Sequence, residues 1–343
     1  MNQDPKGGKT EDNKPSHNSG IINSGSINNA NMIGSMSGGQ LSMTAGAAPA
    51  APPASAQEGS SAQASAKRQA KQFDVCIICA LSEEASAVIQ EFGDRCEGAV
   101  FKRSFSKMTG YEYKYTTITN IEGEELKVLV MPMPFTGPIE TANAVRSLVV
   151  EFEPRFMAMS GICAGYREKV ALGDLVAATY AFSYEEGKVE ADEYDQDRFR
   201  PEWRTHSAAK RIVQYLQGFK EWLEPITKMK QQHLGRELLP GEKPRLLIAP
   251  VASGMAVQGN NPFPRLLEHN RKAQFLDQEI AAFYQTLNEF PNVFFLAVKG
   301  VCDFGDKAKN DDYHEYAAHA SAIFLLLFMQ SYVTNETMTR ENI

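Results

Sequence analysis

The sequence predicts an α/β domain with a mixed, mostly parallel central sheet flanked by helices, preceded by a disordered N-terminal arm. From residue 73 onward, short apolar, β-prone runs alternate with longer helical patterns, as in a chain of strands connected by helices. Several of the runs are apolar throughout, which is typical of strands that a parallel sheet buries on both faces.

The composition excludes several function classes. The chain has 343 residues, of which 43% are hydrophobic and 22% charged, with a formal net charge of −7. The negative charge argues against general nucleic-acid binding. No apolar run is long enough to span a bilayer, and the polar N-terminus lacks the apolar segment of a secretory signal. We therefore expect a cytoplasmic protein that binds neither membrane nor nucleic acid.

The five cysteines indicate reduced, buried thiols. Cys76 and Cys79 form a C-x-x-C pair, but they lie in a strand-like run whose period of two points them to opposite faces. The sequence has no second such pair to complete a zinc site. We expect neither a metal nor a cofactor.

Residues 1–70 are predicted to be a disordered arm and linker. They contain no Phe, Tyr or Trp and cannot bury enough apolar surface to offset the entropy of ordering. Residues 20–40 have neither charge nor proline and repeat Ile, Asn and Ser, a composition that permits strands to stack. This segment resembles prion-like signalling motifs of bacterial and fungal immune proteins, which implies assembly. A solvated tail is the simpler alternative.

The folded domain is predicted to span residues 71–334, with residues 335–343 as a tail and the polar stretch 184–245 as a surface insertion. The predicted strands are Phe73–Ala80, Tyr113–Thr119, Glu125–Met131, Phe156–Gly161, Leu175–Thr179, Leu246–Ala252 and Val293–Val298. The predicted helices are Glu84–Phe92, Pro138–Phe152, Ser207–Leu223, Phe275–Tyr284 and Tyr313–Met329. We expect a turn at Ile162–Gly165.

Three carboxylates are candidate catalytic groups. Asp303 follows the last predicted strand, and ligands of open α/β sheets bind outside the carboxyl ends of strands. Glu84 follows the first strand, and Glu279 lies on a predicted helix. Each has a structural alternative, since Glu84 would also suit a helix N-terminus and Glu279 a surface ion pair.

The motifs around these carboxylates resemble, in order, those of the purine nucleoside phosphorylase and nucleosidase superfamily. They are Ala80–Glu84, Gly161–Gly165, Gly173–Val176, Ala252–Met255, Asp277–Glu279 and Cys302–Asp303. The resemblance covers Phe73 to about Tyr332 and is strongest for the methylthioadenosine/S-adenosylhomocysteine nucleosidases and AMP nucleosidases. It implies a nucleoside phosphorylase-like fold and a homo-oligomer, a dimer or larger.

The resemblance also implies a role for each carboxylate. Asp303 would protonate the leaving purine, Glu84 would activate the attacking water, and Glu279 would hold the ribose. Cleavage of an N-glycosidic bond passes through an oxocarbenium-like sugar, which needs such an acid and base. The other predicted substrate-binding residues are Gln278, Gly161, Ile162, Cys163, Ser253, Val257 and Arg167.

Departures from the family pattern bear on the substrate and the nucleophile. Met255 replaces an Asp, and Val257–Gln258 replace an aromatic residue that stacks on the purine, so Phe263 or Tyr184 would have to stack instead. Leu81–Glu84 and Met159–Ser160 stand where phosphorylases carry phosphate-binding arginines. The absence of cations at these places favours water over phosphate.

These features lead us to interpret the chain as a purine N-ribosyl hydrolase that acts on a nucleoside or nucleotide, with adenine as the expected base. Immune-associated relatives suggest ATP or AMP as the substrate in antiviral defence. The basic candidates for a 5′-phosphate are Lys102, Arg103, Arg167, Lys169, Arg198, Arg200 and Arg204. The alternatives are a phosphorolytic enzyme, a nucleotide-sensing module without activity, and an assembly module.

Overall fold

The computed structural model describes residues 73–191, 197–256, 261–307 and 311–338. The predicted arm, with its segment 20–40, and residues 339–343 of the predicted tail lie outside these ranges. Residues 335–338 form a turn. No helix within the described ranges has both the length and the apolarity needed to cross a bilayer.

Twelve strands and seven helices fall within the described ranges. The strands are β1 Val75–Cys79, β2 Lys102–Phe105, β3 Glu112–Thr119, β4 Glu125–Pro132, β5 Phe156–Gly165, β6 Leu175–Ser183, β7 Gly187–Ala191, β8 Asp197–Pro201, β9 His206–Ser207, β10 Leu246–Ser253, β11 Phe275–Asp277 and β12 Phe294–Asp303. The helices are α1 Ser82–Arg95, α2 Pro138–Phe152, α3 Lys210–Gly218, α4 Leu223–Leu234, α5 Phe263–His269, α6 Ile280–Leu287 and α7 His314–Tyr332.

Ten of these strands form one mixed sheet in the order β11-β10-β6-β12-β5-β1-β4-β3-β2, with β9 beside β6. Parallel pairing joins β4, β1, β5 and β12, and β6 runs antiparallel to β12. Because β11 pairs with both β10 and β5, five strands close into a ring. The predicted fold class, an α/β protein with a mixed central sheet, is confirmed.

Strand β12, which lies between β5 and β6 in this ring, is buried along its whole length. All ten residues of β12 are buried, although the strand carries a lysine, Lys299, and ends in Asp303. Helix α7 packs directly on it: a Cβ at Gly300 would lie 2.4 Å from the carbonyl oxygen of Ala317. The glycine therefore permits a close helix–strand contact that holds the end of β12 in place.

Two predicted elements next to the cavity described below are wrong. The turn expected at Ile162–Gly165 is a continuation of β5, because Ala164 and Gly165 pair with β11. The helix expected from Phe275 begins only at Ile280, since Phe275–Asp277 is a short buried strand. The Asp277 carboxylate accepts a hydrogen bond from the Ile280 amide at 3.0 Å, as a helix cap does.

The polar stretch 184–245 contains more structure than the predicted helix Ser207–Leu223. That helix is α3, which ends at Gly218, and α4 follows it from Leu223. Ile212 and Ile226 of these two helices are fully buried. The hairpin of β7 and β8 is largely exposed. Part of the predicted surface insertion thus belongs to the hydrophobic core.

We predict that Gly300→Ala lowers the free energy of unfolding by about 1–3 kcal/mol, because the new methyl group must displace α7 from β12. Gly93→Ala is the matched control, since Gly93 is an exposed position of α1 and a Cβ there meets nothing within 4 Å. The control should stabilise the protein by roughly 0.5–1 kcal/mol. Urea unfolding measures both, and equal effects of the two substitutions would contradict the close contact.

Candidate active site

A cavity of about 250 Å³ opens where β1, β5, β11 and β12 end. Its ionisable lining residues are Glu84, Asp277, Glu279, Asp303 and His314, together with the thiols of Cys163 and Cys302. All four carboxylate residues are at least 90% buried. Three segments of the chain thus bring four buried carboxylates into one small cavity.

Lys299 is the cation at the centre of this group. Its Nζ lies 3.7 Å from Glu84 Oε1 and 3.7 Å from Glu279 Oε2, and its side chain is 1% exposed. At that distance the amine attracts both carboxylates without a direct hydrogen bond, and Nζ has no hydrogen-bond partner among the described residues. It lies within reach of a bridging water to either carboxylate.

Backbone amides fix the Glu84 carboxylate. Leu81 N donates to Oε2 at 2.9 Å and Ile162 N donates to Oε1 at 2.8 Å. The space for this carboxylate exists because residue 161 is glycine: a Cβ at Gly161 would lie 2.0 Å from Glu84 Oε1. The predicted binding residues Gly161 and Ile162 therefore act here by holding Glu84.

A second pair of bonds positions Asp277 and Glu279. The Ser253 hydroxyl donates to Asp277 Oδ1 at 2.6 Å and accepts a hydrogen bond from the Ala281 amide. The Gly137 amide donates to Glu279 Oε1 at 3.1 Å. Ser253, predicted to contact substrate, thus connects β10 to the start of α6 and holds a cavity carboxylate.

Burial and the central lysine set the charges of the cavity. Burial raises the pKa of Glu84 above its usual value, against the opposing effect of Lys299. Burial likewise raises the pKa of Asp277 to about 6. For Lys299, burial alone would lower the pKa, but the surrounding carboxylates outweigh it and raise the pKa. The cavity therefore combines one lasting positive charge with an excess of carboxylates, a field that favours a cationic ligand or transition state.

Asp303 and His314 lie at another part of the lining. The Gly305 amide donates to Asp303 Oδ1 at 2.7 Å, and the Cys302 thiol lies 3.5 Å from Oδ2. One ligating atom from each of Cys302, Asp303 and His314 falls within a 4.8 Å cluster. The side chain of His314 is 30% exposed, so it reaches solvent while also lining the cavity.

The other predicted substrate residues are placed as follows. Cys163 lines the cavity. Gln278 also lines it and donates to the Met255 carbonyl at 3.1 Å. Arg167 pairs with Asp306 at 2.7 Å and does not line the cavity. Val257 lies outside the described residues.

None of the seven basic residues considered for a 5′-phosphate lines this cavity. The two candidate stacking residues are also elsewhere, since Phe263 is fully buried and Tyr184 lines a neighbouring cavity. Sequence reasoning missed Lys299, Asp277 and His314. The signal for Lys299 was a single charged residue between apolar runs, which indicates a buried and therefore partnered amine.

A mixed sheet that closes around a carboxylate-lined cavity defines the nucleoside phosphorylase-like class of α/β proteins. The chain belongs to the phosphorylase superfamily, whose family model matches residues 74–329. The predicted family resemblance is thereby confirmed.

Two curated relatives and two solved structures are similar to this chain. The chain is 25% identical over 266 residues to the ATP nucleosidase Cap17 of Escherichia coli strain KTE188, which covers 75% of this chain and 51% of that protein. It is 27% identical over 193 residues to an uncharacterized Sinorhizobium fredii protein, y4jS, covering 55% of this chain and 46% of that one. The chain thus spans about half the length of the curated relatives it matches.

The structural neighbours show the same fold at low identity. The MTA/SAH nucleosidase of Streptococcus pneumoniae, solved with 8-aminoadenine, aligns with a TM-score of 0.52 at 20% identity, over 76% of this chain and 100% of that chain. The futalosine hydrolase of Helicobacter pylori aligns with a TM-score of 0.51 at 17% identity, over 74% and 96% of the two chains.

We predict that Lys299→Met destabilises the fold in a pH-dependent way. Removing one partner of a buried charge group leaves the carboxylates unbalanced, which costs roughly 3–5 kcal/mol. Without the amine, the folded-state pKa values of Glu84 and Asp277, which burial already raises, lie further above their unfolded values. The loss should therefore be small near pH 5.5, where they can take up protons, and grow as the pH rises towards about 8.

Urea unfolding at the two pH values measures this effect. Lys114→Met is the matched control, because Lys114 is exposed on β3, and it should change stability by less than about 0.5 kcal/mol. A Lys299→Met deficit that stays constant or shrinks at higher pH would show that the lysine does not balance the carboxylates.

Proposed function

We propose that this protein hydrolyses the N-glycosidic bond of an adenine nucleoside or nucleotide and releases the free base. The observation that carries the proposal is that Glu84, Glu279 and Asp303 line one cavity, with the buried Lys299 3.7 Å from both Glu84 and Glu279. The family membership supports it, as does the description of the similar E. coli protein as an ATP nucleosidase.

In this mechanism Asp303 is the acid. Its Oδ1 is held by the Gly305 amide, so we assign Oδ2 to carry the proton given to a ring nitrogen of the leaving purine. Protonation allows the base to depart as a neutral molecule, and the electron pair of the broken C–N bond leaves with it. A positively charged sugar remains, which the surrounding carboxylates stabilise.

Glu84 is the base that completes the reaction. Both of its oxygens accept backbone N–H groups, which hold the carboxylate in place. It takes a proton from the water that attacks the anomeric carbon, and Lys299, 3.7 Å away, orients that water. Glu279 accepts a hydrogen bond from a ribose hydroxyl. The products are the free base and ribose or a ribose phosphate.

Water suits this cavity better than phosphate as the nucleophile. Among the described residues, no lysine or arginine lines the cavity, and the nearby Lys299 is already faced by two carboxylates. A phosphate dianion there would meet Glu84 and Glu279 without compensating cations. Phosphorolysis is therefore the second candidate, and binding without cleavage is the third.

The finer parts of the proposal concern substrate and assembly. We propose a nucleotide, ATP or AMP, as the substrate, because the similar E. coli protein is named an ATP nucleosidase. Antiviral defence is proposed as the setting on the resemblance of residues 20–40 to immune signalling motifs. We propose a cytoplasmic homo-oligomer, a dimer or larger. Residues 20–40, which lie outside the described residues, are proposed to promote further assembly because they are uncharged and rich in Asn and Ile.

We predict that Asp303→Asn lowers base release by roughly 10²–10⁴-fold, because an amide cannot donate the required proton while its shape is nearly unchanged. Asp94→Asn, an exposed position of α1, removes the same charge far from the cavity and should retain full activity. Base release is followed by chromatography, and circular dichroism checks folding. Near-normal turnover in folded Asp303→Asn would refute the acid assignment.

We also predict that base release requires no added phosphate and is faster with AMP or ATP than with methylthioadenosine. The sugar product should be free ribose or a ribose 5′-phosphate derivative, since water is the nucleophile. Mass spectrometry in H₂¹⁸O should place the label on the anomeric hydroxyl. Phosphate-dependent formation of an anomeric sugar phosphate would establish phosphorolysis, and a higher kcat/KM for methylthioadenosine would refute the nucleotide preference.

A further inference from the structure

Cys302, Asp303 and His314 bring three kinds of metal-ligating side chain to one part of the cavity lining. One ligand atom from each lies within 4.8 Å of the other two. The thiol of Cys302 and Oδ2 of Asp303 are 3.5 Å apart, and both residues are buried. The cluster is thus nearly enclosed by protein on one side and open to the cavity on the other.

The distances are close to those around a tetrahedral zinc ion. Zinc bonds of about 2.0–2.3 Å to nitrogen, oxygen and sulfur place neighbouring ligand atoms about 3.3–3.8 Å apart. Cys302 and Asp303 already have this separation. His314 must approach by about 1 Å, and its partly exposed side chain can make that change by rotation.

The ligand types select among metals. A thiolate with an imidazole favours zinc and similar ions over magnesium or calcium, which prefer oxygen ligands. Nε2 of His314 is buried and has no hydrogen-bond partner among the described residues, and the exposed Asp311 carboxylate lies 3.5 Å from it. Three protein ligands leave the fourth position of a tetrahedral ion open.

We propose that Cys302, Asp303 and His314 bind a zinc ion that inhibits the enzyme. On binding, the Cys302 thiol releases its proton to solvent and the thiolate sulfur bonds to the ion, with no change in oxidation state. Asp303 becomes a metal ligand and cannot carry a proton to the base, while the ion occupies space at the cavity lining. The proposal has two parts. The binding half, that zinc binds here, depends on the geometry alone, and the inhibition half, that zinc inhibits the enzyme, rests on the proposed function.

The binding half is tested on the purified, reduced full chain with cobalt(II) as a spectroscopic substitute for zinc. We expect one tightly bound ion per chain, with the near-ultraviolet thiolate-to-cobalt band and the visible bands of tetrahedral cobalt. Cys302→Ser should remove the thiolate band, and His314→Gln should weaken binding by at least on the order of 10-fold. Zinc should displace the cobalt.

Two further cysteine variants make the assignment specific. Cys96→Ser is the matched control, since this buried free thiol does not line the cavity, and it should bind cobalt normally. Cys163 does line the cavity. If Cys163→Ser loses the thiolate band while Cys302→Ser keeps it, the proposed ligand set is wrong. Absence of a thiolate band in the folded wild-type chain also overturns the site.

The inhibition half is measured as base release with and without zinc, each variant being compared with its own zinc-free rate. Zinc should inhibit the wild type reversibly, with recovery on chelation, and Cys302→Ser should be at least about tenfold less sensitive. Equal zinc inhibition of both proteins would overturn the inhibitory role. A chain that shows the cobalt spectrum but releases no base from any nucleoside would refute the proposed function and leave the metal site established.

Discussion

The structure depends on the balance of charge around one buried lysine. Removing a charged group from water is costly, and it is tolerated only where opposite charges and hydrogen bonds compensate. Lys299 reaches this balance through Glu84, Glu279 and Asp277, so that the charged group draws on three separate parts of the chain, one of them the strand of the lysine itself. Helix α1, the β10–α6 region and β12 must therefore all be in place before the charges are compensated. The same requirement that constrains folding also gathers the groups proposed for catalysis.

The sequence was most informative where a single physical signal dominated. Continuous apolar runs predicted the central strands, and the helix Pro138–Phe152 was predicted to the residue, since proline marks its start. The predictions failed where pairing between strands that are distant in sequence determines the secondary structure. The strand Phe275–Asp277 exists because it joins β10 and β5, a contact that no local pattern encodes. The turn expected at Ile162–Gly165 was wrong for the same reason.

The sequence predicted the carboxylates of the candidate site better than the residues that position them, and the difference has a physical cause. Glu84, Glu279 and Asp303 were found because they occur in recognisable motifs, and they do share one cavity. The sequence did not show which residues position the carboxylates. Gly161 and Ser253 were taken for substrate contacts, yet Gly161 leaves room for the Glu84 carboxylate and Ser253 donates a hydrogen bond to Asp277. Arg167 was selected for its positive charge alone, but in the structure that charge is paired with the carboxylate of Asp306. The type of a residue indicates which reactions its side chain can take part in. The residues that it contacts can be identified only from the three-dimensional structure.

The ring of β5, β12, β6, β10 and β11 has a mechanical consequence. An open sheet has two edge strands that are hydrogen-bonded on one side only, whereas every strand of a closed ring has a neighbour on both sides. Glu84 contacts the ring through Ile162, and Asp277 and Asp303 end two of its strands. Among the described residues, the floor of the cavity is thus part of one continuous hydrogen-bonded sheet. Substitutions in the connections that follow these strands can therefore change the cavity wall in evolution without displacing the reacting groups.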